Sequence, residues 1–456
     1  MKWSTCFTPQ RVGEAAKTSG IRSHYQRDFD RLIFSSPFRR LQSKTQVFPL
    51  PGSTFVHNRL THSLEVASVG RSLGSMVGEH IATLPNLSAE VQRFYKIDLS
   101  NIIAAACLAH DIGNPAFGHS GEDAISNYFT KYKDTNVEGA ALSTYFSTEE
   151  WADLTQFEGN ANALRVLAQN FKGKADGGIG LTMTTLASIL KYPCSSSQRS
   201  KAKHRKKYSY FQSEKDIFFE ITKELDFVAD HNGSGIFRRH PYVYLVEAAD
   251  DICYRIVDVE DAHRLGIVSL EEIRSLFLQV IEDINRPDDS MSTITEKLNS
   301  LTDDNAAVSY LRAKVISTLI KSSVDEFLQH KDAILAGTYN STLLDEIEEY
   351  SPTLKAIEKL SIEKIYNHPS VVEVEIAGYN VMSELLQLFV PAVLSSAPTP
   401  FEKQAIKLIP FQYKPIKTDR PYLKVMNVLD HVSAMTDSYA TDLYRKIKGI
   451  EISKHR

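Results

Sequence analysis

The 456 residues include 43% apolar and 24% charged side chains, the balance of a folded globular chain and not of a disordered or fibrous one. Lys and Arg (52) against Asp and Glu (56) leave a formal charge of -4, which excludes a global basic field, so any attraction to phosphate must be local. The four cysteines, Cys6, Cys107, Cys194 and Cys253, form no CxxC pair, which speaks against a zinc-thiolate site or a disulfide framework and suits a reducing cytoplasm.

Along the chain, the opening MKWSTCFTPQRVG has no apolar signal core, and the longest strongly apolar stretch, 102–109, is too short to span a bilayer. A cytoplasmic protein without a membrane partner is expected. Apolar residues recur at helical spacing while period-two strands are scarce, so the expected fold is all-α. Helices are predicted at 60–79 (Leu60, Leu64, Ala67, Leu73, Val77), at 100–111 opened by Ser100, at 241–258 near Pro241, and at 268–284 from Ser269. Further helices are expected near 308–330, 368–390 and 422–448. Gly173 to Gly180 lacks the preceding strand and the GK[ST] ending of a phosphate loop and reads as a connecting loop. Ser195 to Lys207 holds six Lys or Arg; it reads as a solvated, mobile connector, with contact to a triphosphate or nucleic acid as the alternative. No solenoid-length repeat is visible.

Chemistry concentrates at three points. His110-Asp111 closes the run IIAAACLAHD just before Gly113 and Pro115, where a fraying helix end lets both side chains turn toward one ion; alone, the pair reads equally well as a polar helix end. His62 lies on the 60–79 helix, with Arg59 three residues earlier on or near the same face. Asp250, Tyr254 and Asp258 recur at i, i+4 and i+8 opposite an apolar face that includes Leu245, Ala249, Ile252 and Ile256, a stripe that by itself would usually face water. Two imidazoles and two carboxylates suit a divalent ion with open positions better than they suit a closed structural zinc site.

The ordered set His, His-Asp, Asp resembles the HD superfamily of metal-dependent phosphohydrolases. Further strings narrow the resemblance to the deoxyguanosine triphosphate triphosphohydrolase family: FRRLQSKTQVFP (38–49), NRLTHSLEVASVGR, HDIGNPAFGHSGEDAI (110–125), FEGNANALRVL (157–167), TTLASILKYP (184–193), EAADDICY and AMTDSYATDLY. They span most of 20–260 and reappear at 418–448, while 270–410 is assigned by continuity. The resemblance implies an N-terminal segment 1–30, an HD catalytic core 31–270 that includes the basic loop, and a helical C-terminal region 271–456 packed on that core.

It further implies His62, His110, Asp111 and Asp250 as ligands of a divalent metal (Mg, Mn, Fe or Ni), Asp250 being preferred to Asp251 for its spacing to Tyr254 and Asp258. His119 and Glu122 would be the catalytic pair, Arg59, Lys191 and Tyr254 phosphate contacts, Gln46 and Asp258 readers of the sugar 3′-hydroxyl, and Val47 the wall at C2′. The implied reaction is hydrolysis of a dNTP, above all dGTP, to deoxynucleoside and triphosphate. The implied assembly is a homo-oligomer, in many members a hexamer, with single-stranded DNA or a dNTP as candidate effector. The rival readings are another HD phosphodiesterase and a non-catalytic binder of nucleotides or single-stranded DNA.

Overall fold

The computed structural model describes residues 1–13, 21–48, 56–173, 177–230, 233–288 and 290–451. Pro49 of the FRRL string, 174–176 of the glycine-rich loop and 14–20 of the N-terminal segment lie outside them. Among the described residues the only sheet is a two-stranded antiparallel ribbon, β1 (Asn136–Val137) with β2 (Ala140–Ala141), and the rest of the regular structure is helical. The all-α expectation holds.

The first long helix, α1 (Arg59–Ile81), starts at a reciprocal cap: the Asn58 side chain accepts the Thr61 amide at 3.0 Å, and the Thr61 hydroxyl accepts the Asn58 amide at 3.0 Å, satisfying donors that a helix start otherwise leaves orphaned. It packs on α2 (Leu99–Ala109). Gly70, Gly74 and Gly78 recur once per turn on the contact face. A Cβ on them would fall 2.5 Å from Cys107 Sγ, 2.9 Å from Ser100 Cα and 2.2 Å from the Tyr95 carbonyl oxygen. Glycine is therefore what lets the backbones approach so closely and brings the start of α1 beside the end of α2.

Downstream come α3 (Gly118–Lys131), α4 (Gly159–Ala168) and α5 (Pro241–Arg264). The last runs six residues past its expected end at 258, because the acidic stretch that follows is partnered: Glu260 pairs with Arg264 and Arg312, and Asp261 with His57. Ser269 caps the helix Leu270–Ile284, as its sequence position suggests. Then follow α6 (Asp304–Gln329), α7 (Pro369–Leu394), α8 (Pro421–Ser433) and α9 (Asp437–Ile447). The single helix expected at 422–448 is thus two, divided where Thr436 caps α9 by accepting the Tyr439 amide.

Two buried apolar clusters result. One joins α1, α2, α5 and α6; the other joins α3 with α7, α8 and α9. Helix α7 is long and apolar enough to cross a membrane by length and composition, yet half of its most apolar window is buried inside the protein, where Met382, Leu385, Leu386 and Phe389 belong to the second cluster. All four cysteines are buried and free.

Basic residues 195–207 do not form a solvated connector. Ser196 Oγ donates to Asp153 at 2.5 Å, Gln198 Nε2 to the Ser234 carbonyl at 2.6 Å, and Arg199 to Gln156 at 2.9 Å. The segment is a strap laid over the core, and three of its cations are held: Arg199 by Gln156, Lys203 by Asp345 and Lys207 by Glu158.

Candidate active site

A cavity of about 490 Å³ opens where the starts of α1 and α3, the end of α2 and the middle of α5 converge. His62 lies in the first turn of α1, a position set by the Asn58 cap. His110 follows the last residue of α2, and its Nδ1 donates to the Cys107 carbonyl at 2.6 Å. That bond places a proton on Nδ1 and turns Nε2 toward the cavity.

Asp250 Oδ1 is 3.1 Å from His62 Nε2 and 3.3 Å from His110 Nε2, and one ligand atom of each residue falls within 4.8 Å of the others. His110 Nε2 is buried with no hydrogen-bond partner. Burial alone would lower the His110 pKa, but Asp111 and Asp250 outweigh it and hold it up at about 9. Burial alone would raise the Asp250 carboxyl; the two imidazoles hold it well below its ordinary range. Two imidazole nitrogens and a carboxylate oxygen converging on one point, where Asp111 and Asp250 draw positive charge onto His110, fit a divalent cation that would take the place of the imidazole proton. His62, His110 and Asp250 could hold it.

Asp111 stands beside this group but is engaged elsewhere. Its Oδ1 is 3.5 Å from His110 Nε2 and accepts Asn114 Nδ2 at 2.7 Å, while Oδ2 accepts Arg59 Nη1 at 2.7 Å. The same ion pair occupies Arg59, expected as a phosphate contact, although Arg59 lines the cavity and its Nε has no partner. Lys191 also lines the cavity, 3.2 Å from Glu247.

His119, on the first turn of α3, is exposed to the cavity, and its Nδ1 meets Glu122 Oε2 at 3.0 Å. Glu122 Oε1 accepts the Gly159 amide at 2.8 Å. A Cβ at 159 would sit 2.6 Å from that oxygen, so the FEGN segment approaches this closely only through glycine. The hydrogen bond to Glu122 raises the His119 pKa, and the pairing lowers that of Glu122 against the effect of its burial.

Gln46 and Val47 also line the cavity, with Gln46 Oε1 buried and unpartnered. Tyr254 lies at the rim, half exposed, its ring stacked on Tyr366 at 5.5 Å between centroids. Asp258 is not among the residues lining the cavity. It is buried beneath Tyr366, whose hydroxyl donates to Asp258 Oδ2 at 2.9 Å, and burial pushes its carboxyl up to about 8.

The cavity also takes in residues that the sequence reading did not place there. Lys207, at the end of the basic strap, reaches Glu158 of the FEGN string at 3.0 Å, and Asn160 donates to the same carboxylate at 2.7 Å. Its position at the end of a six-cation run next to a recognised string was the available signal. Tyr366, Val371, Val374 and Glu375 close the far side. They come from 270–410, where no recognised string pointed to them.

Residues 59–176 match the family model described as HD domain, and 347–446 one described as Phosphohydrolase-associated domain. A Synechocystis protein named deoxyguanosinetriphosphate triphosphohydrolase-like protein is 38% identical across 99% of this chain and 100% of its own length. A Listeria monocytogenes protein of the same name is 34% identical over 99% and 100%, and a Yersinia enterocolitica deoxyguanosinetriphosphate triphosphohydrolase is 30% identical over 94% of each. With both matched domains contributing walls to one cavity and the likeness running the length of the chain, this phosphohydrolase belongs to the deoxyguanosine triphosphate triphosphohydrolase family of the HD superfamily.

Proposed function

We propose that the protein hydrolyses deoxynucleoside triphosphates, dGTP first among them, to deoxynucleoside and intact triphosphate. The observation that carries this is one cavity holding three kinds of group together: the His62, His110 and Asp250 donors, the His119–Glu122 pair, and the cations Arg59, Lys191 and Lys207. Such a combination suits a polyanion whose reacting phosphorus lies between a metal and a proton carrier.

In this reading His62, His110 and Asp250, with Asp111 at their side, would hold a divalent cation, which would supply Lewis acidity toward the α-phosphate. Lys191, Lys207 and Arg59 face the remaining phosphates, exchanging their present carboxylate partners for phosphate oxygens. Glu122 favours the protonated form of His119, so His119 is suited to give a proton to the departing 5′-oxygen. Water adds to the α-phosphorus as the bond to that oxygen breaks, and one water is consumed per nucleoside released.

Gln46 offers an unpartnered acceptor to the 3′-hydroxyl, and Val47 fills the space a 2′-hydroxyl would need. Asp258 would meet the sugar only where Tyr366 turns aside, since the Tyr366 hydroxyl now occupies its carboxylate. A homo-oligomer, with single-stranded DNA or a dNTP as effector, belongs to the same proposal; light scattering with and without each ligand tests it.

Turnover of the dNTPs and NTPs, with each of several divalent metals and with chelator, tests the reading. Deoxynucleotide hydrolysis that chelator abolishes supports it. Binding without turnover under every metal would replace it with a nucleotide-binding role.

A further inference from the structure

The start of α9 reaches two walls of the cavity at once through Asp437. Its Oδ2 accepts the Thr45 amide at 2.7 Å and its Oδ1 accepts the Phe117 amide at 2.9 Å. Thr45 immediately precedes Gln46 and Val47; Phe117 lies two residues before His119. Asp437 is buried, so these bonds are shielded from competing water.

Both tethered segments need a tether. Apart from Asp437, Thr45 is held by pairing with Asn58 as an isolated bridge, while the neighbouring Lys44 donates its amide to the Leu41 carbonyl at 3.2 Å and accepts Arg59 N at 3.2 Å. Phe117 has a φ of 61°, a left-handed conformation that a bulky side chain adopts only where its surroundings enforce it. The Asp437 carboxylate holds its amide. From the other side, α7 presents Gly378, where a Cβ would lie 2.4 Å from the Phe117 ring. A second link runs parallel: the buried Lys44 ammonium donates to the Asn114 carbonyl at 2.5 Å and to the Ser433 carbonyl of α8 at 2.9 Å.

We propose that Asp437 is a positioning residue that fixes the spacing between the Gln46–Val47 wall and His119, and that through it the C-terminal helices set both rate and sugar selectivity. This rests on the dNTP reading of the cavity. Neither oxygen can be dispensed with, because each takes a different backbone N–H. Asn at this position keeps one acceptor and turns an NH₂ toward the other N–H, which releases one segment while preserving shape.

The test is Asp437→Asn, with Asp437→Ala as the stronger variant and Ser438→Ala as a control on the same helix, assayed well below each melting temperature. Elemental analysis should show unchanged metal, since His62, His110 and Asp250 lie on other elements. We expect kcat to fall by about 10–100-fold, the usual cost of a misplacement near 1 Å, and the kcat/KM preference for a dNTP over the matching NTP to narrow. Hydrogen–deuterium exchange should speed up in the peptides containing Thr45 and Phe117 and not in α1 or α5.

A role in packing alone would lower the melting temperature and leave the deoxy-to-ribo ratio untouched, and that result overturns the proposal. So does unchanged exchange at both segments in folded Asp437→Asn. If wild-type protein turns over no nucleotide, the functional reading fails and takes the catalytic consequence with it; exchange would still decide whether Asp437 holds the two segments.

Discussion

His119 and Glu122 form a hydrogen bond of 3.0 Å across one turn of α3, and the second Glu122 oxygen is fixed by the Gly159 amide. The carboxylate cannot turn away, so the imidazole is both aimed and biased toward its protonated form. His119→Ala should keep its metal and its affinity for dNTP while kcat falls by about 10²–10⁴-fold. Glu122→Gln should lose less, and the double variant little more than His119→Ala alone, because the two act as a unit.

The same pair makes a prediction about pH. Glu122 raises the pKa of His119, and a proton donor stops working as pH climbs through its pKa. Removing the carboxylate in Glu122→Gln lowers that pKa and should move the alkaline limb of the kcat profile to lower pH. An alkaline limb in the same place as wild type would show that His119 is not the group being titrated.

Metal content tests the donor set independently of rate. His62→Ala and Asp250→Ala should each lose bound metal, because removing one of few protein ligands cripples a site of this kind. Asp251→Ala should retain it, since Asp250 and not Asp251 joins the two imidazoles. Equal losses in the Asp250 and Asp251 variants, measured by elemental analysis, would move the ligand by one residue.

Selectivity for the sugar should depend on Val47. Val47→Gly opens space at the wall and should reduce the kcat/KM preference for dGTP over GTP by about 10-fold or more, in line with the worth of a small apolar contact. Steady-state kinetics on both nucleotides check this, and an unchanged ratio would place the sugar elsewhere.

Acid stability should follow two buried histidines. Burial lowers His240 to about 3 and His431 to about 4; His240 donates to the Cys6 carbonyl, and His431 Nε2 has no partner. Both are neutral when folded. The unfolded chain therefore binds more protons below pH about 6.5, so their contribution is complete above that pH and is lost as pH falls toward 4. His431→Phe removes one of them beside Phe389 and Tyr413. Unfolding free energies from denaturant melts should fall less steeply from pH 7 to 4 in the variant, by an amount on the order of 1.4 kcal/mol per unit of pKa difference. Parallel slopes would contradict this.

What the sequence made legible were features anchored in local structure. His62 sits just inside a capped helix start, His110 at a helix end before Gly113 and Pro115, and Asp250 on a helix begun by Pro241; each signal lies within a few residues of its side chain. Asp258 shows the limit. The stripe that was expected to expose it is covered by Tyr366, 108 residues away, and no local pattern announces such a partner. The break between α8 and α9 did have a local signal, Thr436 preceding Asp437, but apolar spacing on both sides concealed it. Lys207 was hidden among five cationic neighbours; of the six, it alone lines the cavity, while Arg199 and Lys203 are held by Gln156 and Asp345.

The measurement that bears most directly on the central claim is the identity of the products when purified protein, a divalent metal and dGTP are incubated together and separated by anion-exchange chromatography. Deoxyguanosine and intact tripolyphosphate in equal amounts, formed only with metal, are the result the proposed reading predicts, with the cavity's cations along the phosphates and His119 giving its proton to the 5′-oxygen. Deoxyguanosine monophosphate with pyrophosphate, or the diphosphate with inorganic phosphate, would contradict it, because the bond broken would then lie between phosphates.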